Sequence, residues 1–242
     1  MSSEPRRAVV VGASSGIGEA LARRLAADGY EVGLCARRRG RLVDIGNELP
    51  TKAYVAKLDV TDAEDAREGF FDLVEAMGHV DLVFLNAGVG YENRSLDWER
   101  ERQTVETNVL GFTALAVAAI RQFERQGDGR LVGISSLAAH MADGNAASYH
   151  ASKAYVSRYC DGLRYRVQHL DADIGVTTIE PGFVDTDLAG GDLWLCSPET
   201  AADQIVAAAR RGKRHAYVTK RWRVVAWLVA LLPDLVKRRL FS

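Results

Sequence analysis

The sequence predicts an α/β fold in which helices cover both faces of a parallel sheet, and three observations predict it. Short runs rich in valine, isoleucine and leucine alternate with longer segments of helical period. Those runs are near-continuously apolar, the pattern of strands buried on both faces. A glycine-rich turn follows the first run and opens a helical segment, which is where α/β sheets bind phosphates.

Seven runs read as strands: "RAVVV" at 7–11, "EVGLCA" at 31–36, "AYVAKL" at 53–58, "DLVFL" at 81–85, "RLVGI" at 130–134, "GVTTI" at 175–179 and "HAYV" at 215–218. Helical period is clearest in two segments. After Trp98, the positions Val105, Val109, Phe112, Ala116, Ala119 and Phe123 recur every three or four residues. After Ser148 the stripe is Tyr149, Lys153, Val156, Cys160, Leu163 and Val167, with a lysine among apolar neighbours. Such a lysine needs a partner, a role, or a route for its head to water. The chain has 242 residues, no linker and no internal repeat. One domain over 1–220 followed by a helical tail over 221–242 is therefore expected.

Composition excludes several classes. With 31 basic and 32 acidic residues there is no cationic stripe for nucleic acid. Cys35, Cys160 and Cys196 are odd in number and lack metal-ligand spacing, so neither a disulfide framework nor a metal is expected. The opening "MSSEPRRAVVVG" holds no secretory apolar segment, and a cytoplasmic protein is expected.

In "GASSGIG", Gly12, Gly16 and Gly18 allow a sharp turn and close approach to a diphosphate, with the helix N-terminus supplying free N–H groups. The spacing differs from G-x-G-x-x-G, so the strand–turn–helix context carries the reading. A carboxylate some 20 residues further on would hold an adenosine ribose, whereas arginine accommodates a 2′-phosphate. Here "CARRRGRL" offers Arg37, Arg38 and Arg39 and no acid. NADP(H) is the cofactor this favours.

The motifs "GASSGIG" at 12–18, "LDV" at 58–60, "NAG" at 86–88, Asn108, "ISS" at 134–136, "YHASK" at 149–153 and "PGFVDT" at 181–186 occur in the order of the short-chain dehydrogenase/reductase family, which this sequence resembles from about residue 7 to 220. The resemblance implies a three-layer, doubly wound Rossmann-type fold with a parallel seven-stranded sheet. It also implies an oxidoreductase interconverting a carbonyl compound and an alcohol, commonly as a homodimer or homotetramer. Carried over by position, Asn108, Ser136, Tyr149 and Lys153 correspond to the catalytic tetrad. Ser136 is favoured over Ser135 because it stands 13 residues before Tyr149. Cofactor contacts are implied for Gly12, Ser14, Ser15, Gly16, Ile17, Gly18, Arg37, Arg38, Asp59, Val60, Asn86, Ala87, Gly88, Tyr149, Lys153, Pro181, Gly182, Val184 and Thr186. Val11 departs from the pattern, standing where many members have threonine.

A free tyrosine has a pKa of about 10, and a nearby cation lowers it. Lys153, one turn from Tyr149, is expected to tune the phenol for proton transfer while Ser136 hydrogen-bonds the substrate oxygen. Asn108 is implied to position a water. "GISSL" lacks the second glycine of a serine-hydrolase elbow, which sets that class aside. A cofactor-binding sensor or scaffold of the same fold remains the alternative.

Tyr91, His140, Met141, Phe183 and Trp194 are expected to wall an apolar substrate pocket. "DLAGGDLWLCS" at 187–197 is expected to form its flap, hinged at Gly190 and Gly191. In the tail, nine apolar residues from Val224 to Leu232 lie between Lys220, Arg221, Arg223 and Lys237, Arg238, Arg239. Nine are too few to span a bilayer, which takes ~20. A cover for the subunit core or a symmetric partner is favoured, and peripheral membrane contact through 221–242 is the other reading.

Overall fold

The computed structural model describes residues 5–186 and 194–231. Seven strands, β1 (Arg7–Val11), β2 (Glu31–Ala36), β3 (Ala53–Lys57), β4 (Leu82–Leu85), β5 (Asp128–Ile134), β6 (Asp173–Pro181) and β7 (His215–Val218), form one sheet in the order β3-β2-β1-β4-β5-β6-β7. Every pairing is parallel. The seven strands and the doubly wound α/β fold are those expected from the apolar runs.

Strand order reverses direction beside β1: the chain winds outward through β2 and β3, then returns to place β4 on the other side. Loops leaving the carboxyl ends of β1 and β4 therefore splay apart, and ligands of open α/β sheets bind in that crevice. Both faces are covered. One carries α1 (Gly16–Ala27), α2 (Arg39–Glu48) and α7 (Pro198–Arg210), packing Leu21, Leu25, Leu42 and Ile205 against Val10, Leu34 and Phe84. The other carries α3 (Ala63–Met77), α5 (Phe112–Gln126) and α6 (Ala147–Val167), packing Phe70, Phe112, Phe123 and Cys160 against Val9 and Leu131. Local chemistry sets several helix ends. Asp62 and Ser197 cap α3 and α7 by accepting main-chain N–H bonds, and Gly127 closes α5 at a φ of 92°.

The helix expected after Trp98 is interrupted. It runs as α4 (Trp98–Val105), a π-helical turn (Glu106–Gly111) and then α5. A π turn bonds one residue further along than an α turn and so rotates the helix phase. Val105, expected on the core face, is exposed, and Thr104, Thr107 and Asn108 are buried instead. Although the whole stretch from Trp98 to Gln126 is long and apolar enough to cross a bilayer, the apolar side of α5 lies against the sheet.

The tail begins with α8 (Trp222–Leu231). Trp222 and Ala226 bury against Leu137, with Met141, Phe183 and Tyr217 around them, so the inner side of α8 covers its own subunit. Val224 and Leu228 face outward and are exposed. Phe123 is fully buried where α5 meets the sheet. Phe123→Ala is expected to lower stability by ~3–5 kcal/mol, read from denaturant unfolding.

Candidate active site

The floor of the crevice is made by backbones in contact. Gly12 has a φ of 85°, and a Cβ there would sit 2.7 Å from the Ala87 nitrogen. A Cβ on Gly18 would sit 1.9 Å from the Gly12 carbonyl oxygen, so the start of α1 packs directly on the turn. Asn86 locks the arrangement: its Nδ2 donates to the Gly12 carbonyl at 3.1 Å and its main-chain N–H to Val11 at 3.0 Å. The free N–H groups at the start of α1 then face a cleft of about 630 Å³.

That cleft is lined by Gly12, Ser14, Ser15, Gly16, Ile17, Arg37, Arg38, Asp59, Val60, Asn86, Ala87, Gly88 and Thr186. The structure thus gathers most of the expected cofactor residues from five separate loops. Gly18 lies beneath the turn, and Pro181, Gly182 and Val184 stand behind the wall. Gly182 donates its N–H to Val218 at 2.7 Å, and Val184 bridges to Cys196. Ala36, Leu58, Val89 and Thr107 also line the cleft. Their apolar or neutral side chains gave no chemical signal in the sequence. At the adenosine end, Arg38 crosses the turn, its Nη2 donating to Ser14 Oγ at 3.0 Å and Ser15 Oγ at 2.9 Å. Arg37 lies beside it, exposed. No carboxylate stands at the end of β2. A cleft with a left-handed glycine turn, a helix N-terminus and two guanidinium groups fits a dinucleotide phosphate chain.

The reactive end is built on β5 and α6. Ser136 caps a 3₁₀ turn (Leu137–His140), its Oγ accepting the Ala138 N–H at 3.1 Å, and it hydrogen-bonds Tyr149. Ser135 is buried and donates to the Lys153 carbonyl at 2.7 Å, which leaves Ser136 as the serine beside Tyr149. The Tyr149 ring packs against Gly90, where a Cβ would come within 2.8 Å. Lys153 Nζ donates to the Ile134 carbonyl at 3.3 Å and lies 5.7 Å from the Tyr149 ring centroid. Asn108 joins the π turn to α6 and to the loop after β4. Its Oδ1 accepts the Val89 N–H at 2.9 Å, and its Nδ2 donates to the Val89 carbonyl at 2.8 Å and to Ser152 Oγ at 3.0 Å.

The electrostatics differ from the expected tuning in one respect. Burial pushes the Tyr149 phenol above its ordinary pKa, only partly opposed by the Ser136 hydrogen bond. Lys153 is itself buried, and desolvation brings its pKa down to about 8. Both groups are thus pushed by burial toward their neutral forms, and for Tyr149 burial outweighs what lowers its pKa.

Beside the 3₁₀ turn, Trp222 is the centre of an apolar cluster that sequence reading missed. Phe183 and Trp194 meet its ring edge-on at 5.5 Å and 5.3 Å. Its indole also fills the space where a Gly182 Cβ would be, at 2.1 Å. The available signal was Gly182 itself, a residue with no room for a side chain. Met141 joins this cluster, while His140 is held by Glu180. Tyr91 stands on the loop after β4 and donates to Gln103 at 3.1 Å. Of the expected flap, Asp187 to Leu193, including Gly190 and Gly191, lies outside the described residues.

The family model described as short chain dehydrogenase matches residues 6–192. The chain belongs to the short-chain dehydrogenase family. An uncharacterized oxidoreductase of Mycobacterium tuberculosis is 33% identical over 97% of this chain and 96% of its own length. The 11-beta-hydroxysteroid dehydrogenase A of Sesamum indicum is 29% identical, covering 95% of this chain and 72% of that protein. An alcohol dehydrogenase from the archaeon Thermococcus sibiricus, solved with 5-hydroxy-NADP, superposes with a TM-score of 0.78 at 28% identity, over 88% of this chain and 94% of the other. As a short-chain dehydrogenase, this protein is an oxidoreductase of the alcohol/carbonyl kind that uses a nicotinamide cofactor.

The charge on Lys153 yields a measurable consequence. With burial bringing its pKa from the ordinary 10.5 down to about 8, the fold carries a penalty for the buried cation below pH 8. That penalty fades as pH rises from about 8 to 10.5. In the cofactor-free protein, Lys153→Met is expected to raise stability at pH 7 by on the order of 1–3 kcal/mol. It should also remove this pH dependence, as checked by thermal unfolding followed from below pH 8 to above pH 10.5, the window that this shift sets.

Proposed function

We propose that this protein is an NADP(H)-dependent oxidoreductase that interconverts an apolar carbonyl compound and its alcohol, with Tyr149 as general acid/base. One observation carries the reading. Ser136, Tyr149 and Lys153 come together from β5 and α6 beside a dinucleotide-sized cleft whose far end presents Arg37 and Arg38 with no opposing acid at β2.

The N–H groups at the start of α1, with Arg37, Arg38, Asp59, Val60, Asn86, Ala87, Gly88, Thr186 and Lys153, would hold the cofactor, which when bound supplies or accepts a hydride. The chain's own residues handle the proton. Burial keeps Tyr149 protonated, the form that can deliver a proton to a carbonyl oxygen gaining negative charge. Ser136, bonded to Tyr149, is placed to donate to that same oxygen. Lys153, with its pKa near 8, keeps a positive charge through neutral pH and stabilises the phenolate left behind. Both amide hydrogens of Asn108 are engaged, by Val89 and Ser152, so its side chain has no donor left for a water.

The cluster of Leu137, Met141, Phe183, Trp194 and Trp222 supports an apolar substrate. The hydroxysteroid in the name of the Sesamum indicum relative is of the same character. Assembly as a homodimer or homotetramer is part of the proposal, with the exposed Val224 and Leu228 of α8 as a subunit contact. Peripheral membrane contact is the competing use of that surface, given the exposed Lys220, Arg221 and Arg223 beside it. The cysteines are free, in keeping with a reducing compartment such as the cytoplasm.

Tyr149→Phe is expected to lower turnover by ~10²–10⁴-fold, the range of general acid/base catalysis, with NADPH still bound in a fluorescence titration. Near-normal turnover would remove Tyr149 from the mechanism. Arg37→Ala and Arg38→Ala should each weaken NADPH at least ~10-fold while changing NADH little, as expected for a charge-assisted phosphate contact. Equal effects on the two nucleotides would sink the phosphate assignment.

A further inference from the structure

A buried carboxylate behind the reactive side chains plays no part in the chemistry above. Glu180 precedes Pro181 near the end of β6 and is 1% exposed. Its Oε1 accepts the Ser157 hydroxyl at 2.7 Å. Its Oε2 lies 2.6 Å from His140 Nε2 and 3.0 Å from His215 Nε2, and Tyr217 also hydrogen-bonds it. Ser157 Oγ in turn lies 2.9 Å from Ser135 Oγ, whose hydroxyl donates to the Lys153 carbonyl at 2.7 Å.

One side chain therefore reaches each element that carries a reactive group. His140 ends the 3₁₀ turn that Ser136 caps. Ser157 stands one helical turn beyond Lys153 and two beyond Tyr149 on α6. Ser135 immediately precedes Ser136 and ties the end of β5 to the Lys153 carbonyl. His215 and Tyr217 belong to β7, beside the strand that leads into Pro181 and Gly182. A well-packed apolar residue at such a buried place is often as good for stability as an ion pair. What the carboxylate adds is direction: it accepts bonds from three elements at once and fixes their spacing.

We propose that Glu180 is a positioning residue of the active site. Through His140 it holds the Ser136-bearing turn, and through Ser157 it holds the Lys153 segment of α6, at the spacing that proton transfer requires. This rests on the oxidoreductase reading above. Ionisation supports it: burial acts to raise the Glu180 pKa, but hydrogen bonds from His140 and His215 bring it down to about 2. The Glu180 hydrogen bond in turn raises His140 above its ordinary 6.5. The charged or titratable groups on this cluster are His140 from the 3₁₀ turn, His215 and Tyr217 from β7, Arg158 from α6, and Arg223 from α8 acting on Tyr217. Since His140 is raised, its ion pair with Glu180 is complete below pH 6.5 and is lost as pH rises through the higher folded value.

The test uses the full chain with Glu180→Gln and His140→Gln. Each variant is followed by NADPH titration, by kcat and KM on a carbonyl compound found by NADPH-coupled screening, and by histidine NMR. For E180Q the expected result is a ~10²-fold loss of kcat, the cost of roughly 1 Å of misplacement, with NADPH affinity within about threefold of wild type. The His140 resonance should titrate above 6.5 in the wild-type protein and fall back in E180Q. H140Q removes the charge that pairs with Glu180, so it should lose part of kcat and, with it, the alkaline step that the histidine contributes to the pH profile. Wild-type kcat in E180Q overturns the proposal, and so does a parallel loss of NADPH binding and turnover, which marks a merely structural role. If E180Q does not fold, H140Q decides: an unchanged pH profile there overturns it. A wild-type protein that turns over no carbonyl compound fails the oxidoreductase reading instead, and an unshifted His140 titration in E180Q would separately overturn the Glu180–His140 coupling.

Discussion

The close approach of three main chains, at Gly12, Gly18 and Ala87, is the contact on which the rest of the site depends. Two of these residues can have no side chain: a Cβ on Gly12 meets the Ala87 backbone and one on Gly18 meets the Gly12 carbonyl. With β1 and β4 adjacent and parallel, the turns that follow them leave the sheet side by side, and Asn86 stitches them together. The crevice exists because the sheet reverses its winding there. Its phosphate-facing wall exists because the helix packs directly on the turn.

The reactive end depends on a different kind of constraint. Lys153 is enclosed where Gly88, Ile134 and Tyr149 converge, and its charge is held at a cost. Low dielectric works on Tyr149 as well, so both groups are poised nearer neutrality than in water. A buried polar pair of this kind needs rigid support, since small displacements of buried polar groups have large effects. Asn108 supplies it on one side by clamping the loop after β4 to α6, and the Glu180 cluster supplies it on the other.

The aromatic cluster around Trp222 is held by packing. Trp222 from α8 occupies the notch at Gly182 and gathers Phe183 and Trp194 around it, so a segment that the sequence set apart as a tail becomes the centre of an aromatic cluster. The same helix turns Val224 and Leu228 outward. A single element thus packs one side on its own subunit and leaves apolar residues on the other side exposed.

The strands, the doubly wound architecture and the glycine turn were legible because each leaves a local mark: continuous apolar runs, a 3.6-residue period, and glycines where a backbone must come close. Ser136, Tyr149, Lys153 and Asn108 were nameable only by motif order, since a tyrosine and a lysine four apart carry no meaning by themselves. Tertiary structure decided the rest. It turned Val105 out to solvent through a π turn, put Arg38 across Ser14 and Ser15, and raised the Tyr149 pKa where proximity to lysine predicted a fall. It also joined Glu180 to His140 and His215, and Trp222 to Gly182. Burial and contact between residues far apart in the chain set these features, and the order of residues in a sequence does not encode solvent access or through-space distance directly.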